Sequence, residues 1–181
     1  VLENVVAEPK DVAELVGLLS EGNYYARCDI IDYIVKIHPR LGNELVAELT
    51  KALGNGVIAQ NAIHCLRDIG PAAAPAVPAL MEFFKSASID LRQAAVIAIG
   101  SIGPPAAVAT DALVALLSAP EESIRLQAIQ SLGEIGPASR NALDVLKRMM
   151  QEERERLGKE DPDNPTSELL HALEQAIGQI K

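Results

Sequence analysis

The sequence predicts an all-α protein: an α-solenoid in which antiparallel helix pairs stack as a right-handed superhelix. Three observations carry that expectation. Ile-Gly-Pro stands at 69–71, 102–104 and 135–137, each copy 33 residues after the last, and a weaker copy, Ile37-His38-Pro39, comes 32 residues earlier. Apolar columns recur at helical spacing around every copy. Finally, the 181-residue chain is 49% hydrophobic but only 3% aromatic and has no Trp, so its core must be Ala, Leu, Ile and Val from closely spaced helices.

The first helix of each unit precedes the Gly-Pro turn. Its columns are Ile30, Ala62, Ala95, Ala128; Ile31, Ile63, Val96, Ile129; Ile34, Leu66, Ile99, Leu132; and Ile37, Ile69, Ile102, Ile135. Intervals of one, four and seven residues place all four columns on one side of a helix. The turn then stops it, because Gly accepts a left-handed cap and Pro cannot continue the hydrogen-bond ladder. Small residues in the Ala62/Ala95/Ala128 column and at Gly100 and Gly133 allow close helix approach. The glycine column holds Val35 and Arg67 in the earlier units, which predicts looser or differently angled packing there.

The second helix has its own columns, from Val12, Val46, Val77, Thr110, Leu143 and Leu15, Leu49, Leu80, Leu113, Leu146 to Leu18, Ala52, Phe83, Leu116, Met149 and Leu19, Leu53, Phe84, Leu117, Met150. Four full repeats result, at about 23–54, 57–86, 89–118 and 121–157, with lone helices at 10–20 and 166–180. In the last helix, Ile177-Gly178-Gln179-Ile180 echoes Leu132-Gly133-Glu134-Ile135. A charged insertion, 151–165, is expected to extend the fourth second helix to Leu157, with Gly158 as its C-cap and a loop beyond. A pair of three- to four-turn helices cannot bury both its apolar sides, so stacking supplies the stability. The chain does not begin with Met, and Val1, Leu2, Val5 and Val6 look like the end of a missing helix. The sequence therefore reads as part of a longer protein.

The phrase that opens with Arg92 or Arg125, closes on Gly-x-Ile-Gly-Pro and continues as Ala76-Val77-Pro78-Ala79-Leu80 resembles the HEAT repeat, in the short variety of the phycobilisome-lyase-type families. The likeness spans residues 11–150 well and the last helix loosely. Ankyrin and tetratricopeptide phrases are absent. The resemblance implies a fold that serves many functions, most often as a scaffold for other proteins.

Chemistry is sparse along the chain. His38, His64 and His171 are isolated, and none is followed by Glu, so the His-Glu pairs of the HEAT-type di-iron hydroxylase do not occur. Cys28 and Cys65 lie in different repeat columns without metal-ligand spacing and read as reduced, buried thiols. Glu121-Glu122 fall where a helix N-terminus favours negative charge, with Pro120 at the first helical position. Phosphate loops and serine-nucleophile phrases are lacking. No catalytic residue, metal ligand or cofactor is predicted. The net charge of −9 and five aromatics argue against nucleic acid, including the basic groove of HEAT-like glycosylases. No apolar run reaches the ~20 residues of a membrane span, and the N-terminus has no signal-peptide pattern. A cytoplasmic protein, monomeric or part of a longer chain, is expected.

A partner would meet the non-core columns of the second helices, which in HEAT-like solenoids line the concave side. These are Val16, Thr50, Met81, Val114, Lys147 and Gly17, Lys51, Glu82, Ala115, Arg148. Met81, Val114 and Ala115 form an apolar middle, and Lys51, Glu82, Lys147 and Arg148 form a charged rim. That pattern suits a protein or peptide. The competing explanation makes Met81 and Val114 edges of the core and pairs Lys51 with Glu82 across repeats. Ile97, out of pattern beside Asp32, His64 and Gln130, and Tyr24 and Tyr25 are further contact candidates. A lyase-like subunit acting on a cofactor-bearing protein, suggested by the family resemblance alone, and a structural spacer are the alternatives.

Overall fold

A computed structural model describes residues 39–56, 58–160 and 167–181. Its helices are α1 (Pro39–Ala52), α2 (Ala59–Ile69), α3 (Val77–Met81), α4 (Ile89–Ile102), α5 (Thr110–Leu116), α6 (Glu122–Ile135), α7 (Leu143–Glu160) and α8 (Glu168–Ile180). Among the described residues there is no strand. The fold is an α-solenoid. Helices α2, α4, α6 and α8 pack in sequence as the first-helix layer, and the intervening segments form the second. The lone helix expected at 10–20, the column residues before 39, Tyr24, Tyr25 and Cys28 lie outside the described residues.

The Gly-Pro joint is built as its chemistry requires. Gly70, Gly103 and Gly136 take φ of 67°, 71° and 67°, the left-handed region that side chains resist. The Gly103 N–H donates to the Gly100 carbonyl at 2.8 Å, closing α4. Proline follows each glycine, and the chain re-enters helix as 3₁₀ turns at Gly70–Ala76, Pro104–Ala109 and Gly136–Ala142. The second element of the last three repeats is thus a 3₁₀ turn leading into an α-helix, whereas that of the first is the single α-helix α1. The prolines withhold N–H donors from the first turn.

The predicted columns make the core. Ile63, Leu66, Ala95, Val96, Ile99, Ile102, Ala128, Ile129, Leu132 and Ile135 are buried, as are Leu49, Leu80, Leu113 and Leu146 of the second layer. Each large aliphatic so placed contributes roughly 1.5–3 kcal/mol before entropy is counted. Phe84 is buried and Phe83 packs half-buried against the same core. Cys65 is a buried free thiol.

Close approach in the first-helix layer rests on glycine. A Cβ on Gly133 would stand 3.0 Å from Ala176 Cα and 3.2 Å from its Cβ, and would collide with Gln179 Oε1. A Cβ on Gly100 would stand 2.8 Å from Ser131 Oγ and 3.0 Å from Ser131 Cα, and would collide with Glu134 Oε2. Ser131 also donates to the Val96 carbonyl at 2.9 Å, a buried bond between neighbouring repeats. Arg67, in the same column of α2, lies half-buried with its guanidinium on Asp68. The α2–α4 contact is correspondingly less extensive than those of α4 with α6 and α6 with α8.

Two local expectations are corrected. Gly158 does not cap α7: the helix runs on to Glu160, and Gly158 sits exposed with nothing near its missing Cβ. A solvent-facing glycine costs a helix only about 1 kcal/mol, too little to end it. Pro120 is not the first helical residue either. Glu121 is the extended N-cap of α6, and Glu122 lies in its first turn. The acidic helix start survives that shift, and Glu121 also accepts from Arg92 of α4 at 2.6 Å.

A candidate interaction surface

The second layer places the predicted partner residues as an exposed strip with a half-buried middle. Met81, at the end of α3, and Val114, in α5, are partly buried and packed against the core. Ala115 beside Val114 is exposed, as are Glu82, Lys147 and Arg148. The pairing of Lys51 with Glu82 does not form. Lys51 instead binds Glu48 on its own helix at 2.5 Å, and its side chain keeps 72% of its surface. Such an exposed pair is worth at most about 1 kcal/mol. Among the described residues, Lys147, Arg148 and Glu82 have no hydrogen bond or ion pair. Asp111 of α5 accepts from Asn141 at 2.7 Å, which links two repeats along the same layer.

Other sequence candidates fall elsewhere. Ile97 is half-buried on α4 of the first layer, and His64 is half-buried with polar contacts of its own. His171 is exposed on α8. Among the described residues, no group of three His, Cys, Asp or Glu is placed to hold a metal ion. No described helix is long and apolar enough to cross a membrane.

One feature of the first layer escaped the sequence reading. Between α6 and α8 lies a cavity of about 180 Å³, lined by Gln130, Glu134, Ala172, Gln175, Ala176 and Gln179. Burial pushes the Glu134 carboxyl above its ordinary value of 4.5. The signal available was the repeat itself. Gln130 and Gln175 share the column of His64 and Ile97, and Glu134 and Gln179 share that of Asp68 and Ser101. Among the grooves between described first-layer helices, only this last one is polar at all four positions.

A buried carboxylate ties α7 to the start of α8. Glu153 of α7 is 7% exposed, and Arg156 donates to it through Nε at 2.9 Å and Nη2 at 2.7 Å. Ser167 Oγ donates to the same carboxylate at 2.7 Å while accepting from the Leu170 N–H at 3.0 Å as N-cap of α8. The Arg156 hydrogen bonds, then the Ser167 bond, hold the Glu153 carboxyl below its ordinary range against the opposing effect of burial. This cluster fixes where α8 starts.

Comparison with known proteins agrees with the repeat architecture. Residues 77–161 match the family model described as HEAT repeats. The crystal structures of two engineered proteins from a structural genomics consortium superpose on the chain with TM-scores of 0.63 and 0.62. Each is 18% identical and covers 98% of this chain; the chain covers 82% of the first and 49% of the second. At that identity the likeness is one of fold. No curated protein matches the chain. The matched HEAT repeats include Met81, Glu82, Val114, Ala115, Lys147 and Arg148, so the candidate strip is formed almost wholly by them.

Proposed function

We propose that this protein is a non-catalytic HEAT-repeat scaffold that binds a protein or peptide along the concave face of its second helices. The observation that carries the reading is the strip itself. Met81 and Val114 offer apolar surface in consecutive repeats, with exposed Ala115 beside them and Lys51, Glu82, Lys147 and Arg148 at the rim. Half-buried apolar anchors ringed by charge are what a bound segment needs, since the anchors supply affinity and the rim orientation. The residues between repeat copies vary while the joints do not, which leaves this face free to differ from other HEAT arrays.

The test is affinity capture with the isolated protein and with Met81→Glu/Val114→Glu, followed by mass spectrometry. Capture of one partner by the parent and its loss in the double variant, at unchanged helicity, is expected. Equal capture by both would remove the strip from consideration. Turnover of a cofactor-bearing protein by the parent would replace the scaffold reading with an enzymatic one.

A further inference from the structure

We infer that the cavity between α6 and α8 receives the guanidinium of an arginine side chain presented by a partner protein. This site lies in the first-helix layer and does not depend on the second-helix strip.

The geometry is a square. α6 gives Gln130 and Glu134, one turn apart, and α8 gives Gln175 and Gln179, one turn apart in the same two repeat columns. Gly133 and Ala176 let the helices approach closely enough for the four side chains to share one opening. Ala172 and Ala176 are buried and form an apolar floor. Among the described residues, none of the four polar side chains has a hydrogen bond or ion pair. Three other carboxylates do have a cation: Glu121 has Arg92, Glu153 has Arg156 and Glu174 has Arg154.

The lining selects its ligand by elimination. It offers one carboxylate and three amides, each with a carbonyl acceptor and an NH2 donor, and no cation. The single carboxylate, Glu134, disfavours anions; its Oε2 lies over Gly100 of α4. The volume of about 180 Å³ is on the order of six waters, well below the roughly 300 Å³ where pockets for drug-sized molecules begin. It suits the end of one side chain. Guanidinium presents five N–H donors in a plane, is weakly hydrated, and carries methylenes that can cover the alanine floor. An ammonium has three donors at one point and holds its water more strongly. Free arginine would bring a carboxylate with no cation to meet it, which favours an arginine within a chain. Partial burial raises the carboxyl of Glu134, whose side chain stays exposed at the rim, and a bound cation would offset that rise.

The experiment is an NMR titration of the whole protein with N-acetyl-arginine methylamide, following the side-chain amides of Gln130, Gln175 and Gln179 and the Glu134 carboxyl carbon. Saturable shifts of these groups are expected, with the Glu134 titration midpoint falling as the site fills. N-acetyl-lysine methylamide and free arginine should each bind about tenfold more weakly. Glu134→Gln should weaken the blocked arginine about tenfold, and Gln175→Ala should weaken it less, with the backbone spectrum otherwise preserved. Linear, unsaturable shifts would overturn the assignment, as would equal binding of lysine or no change in Glu134→Gln. Free arginine binding as well as the blocked form would overturn the partner assignment.

Discussion

Helices α6 and α8 share one repeat register 45 residues apart and have opposite fates on one side. In α6, Ile129 is fully buried and Leu126 is 8% exposed; their α8 counterparts, Glu174 and His171, face solvent. Gly133 in α6 is covered by Gln179 and Ala176, whereas its counterpart Gly178 has nothing within 4 Å. The side of α8 that faces the core keeps the pattern, with Leu170, Leu173, Ala176, Ile177 and Ile180 buried. The two helices thus differ by one or two apolar columns exchanged for polar ones, and no change of backbone is required.

The most severe way to break the comparison is to write the polar column of α8 into α6. Ile129→Glu would place a carboxylate at a fully buried position of the core. A buried charge without a partner costs about 3–5 kcal/mol, and the site would also lose the packing of Ile129. Chemical denaturation is expected to show a loss of at least that size, or no cooperative transition. A variant that melts like the parent would mean that the α6–α8 joint opens readily.

Next in size is the clamp that positions α8. Glu153→Ala removes the acceptor for Arg156 and for Ser167, and a loss of about 1–3 kcal/mol follows from the unmade charged hydrogen bonds. The pH dependence has a definite sign. The folded carboxyl is held below its ordinary value of 4.5, so its stabilisation is complete above that value and is lost as pH falls through the lowered folded pKa. Urea titrations of parent and variant should therefore differ at neutral pH and converge in acid. A constant difference at all pH values would show that Glu153 acts by packing alone.

The paired glycines sharpen the contrast further. Gly133→Ala must push Ala176 away and is expected to cost about 1–3 kcal/mol through overpacking. Gly178→Ala enters open space within a helix and should stabilise by roughly 0.5–1 kcal/mol. Opposite signs from the same substitution in one column would be read directly from two melting curves.

How much of this was legible in the sequence follows from range. The Gly-Pro joint was readable because a left-handed glycine followed by proline is a local device with one structural meaning. The buried columns were readable because the repeat prints them several times. The passage of α7 through Gly158 was misread because a single exposed glycine is too weak a stop, and the 3₁₀ turns because proline position was read as a break and not as a change of pitch. The Glu153–Ser167 clamp joins residues 14 apart in the sequence, and the α6–α8 cavity needs helices whose spacing only the packed glycine sets. For the seven strip residues the sequence identified the columns; it could not settle how deeply Met81 and Val114 sink, which depends on the core beneath them.

The smallest effect on stability belongs to the exposed face of α8. Glu174 binds Arg154 of α7 at 2.7 Å with both side chains about half exposed, a pair worth no more than about 1 kcal/mol. Glu174→Ile would restore the column of Ile63, Val96 and Ile129 on a face that no described element covers. Stability should therefore change by less than about 1 kcal/mol, while the new apolar column gives another molecule a surface like those on which repeats stack. Sedimentation over a concentration series should show association of Glu174→Ile beyond that of the parent, and Glu174→Gln should not. If the isoleucine variant behaved as the parent does, the polar face of α8 would not be what keeps repeats from stacking on it, and the contrast between α6 and α8 would have to rest on Gly178 and its neighbours instead.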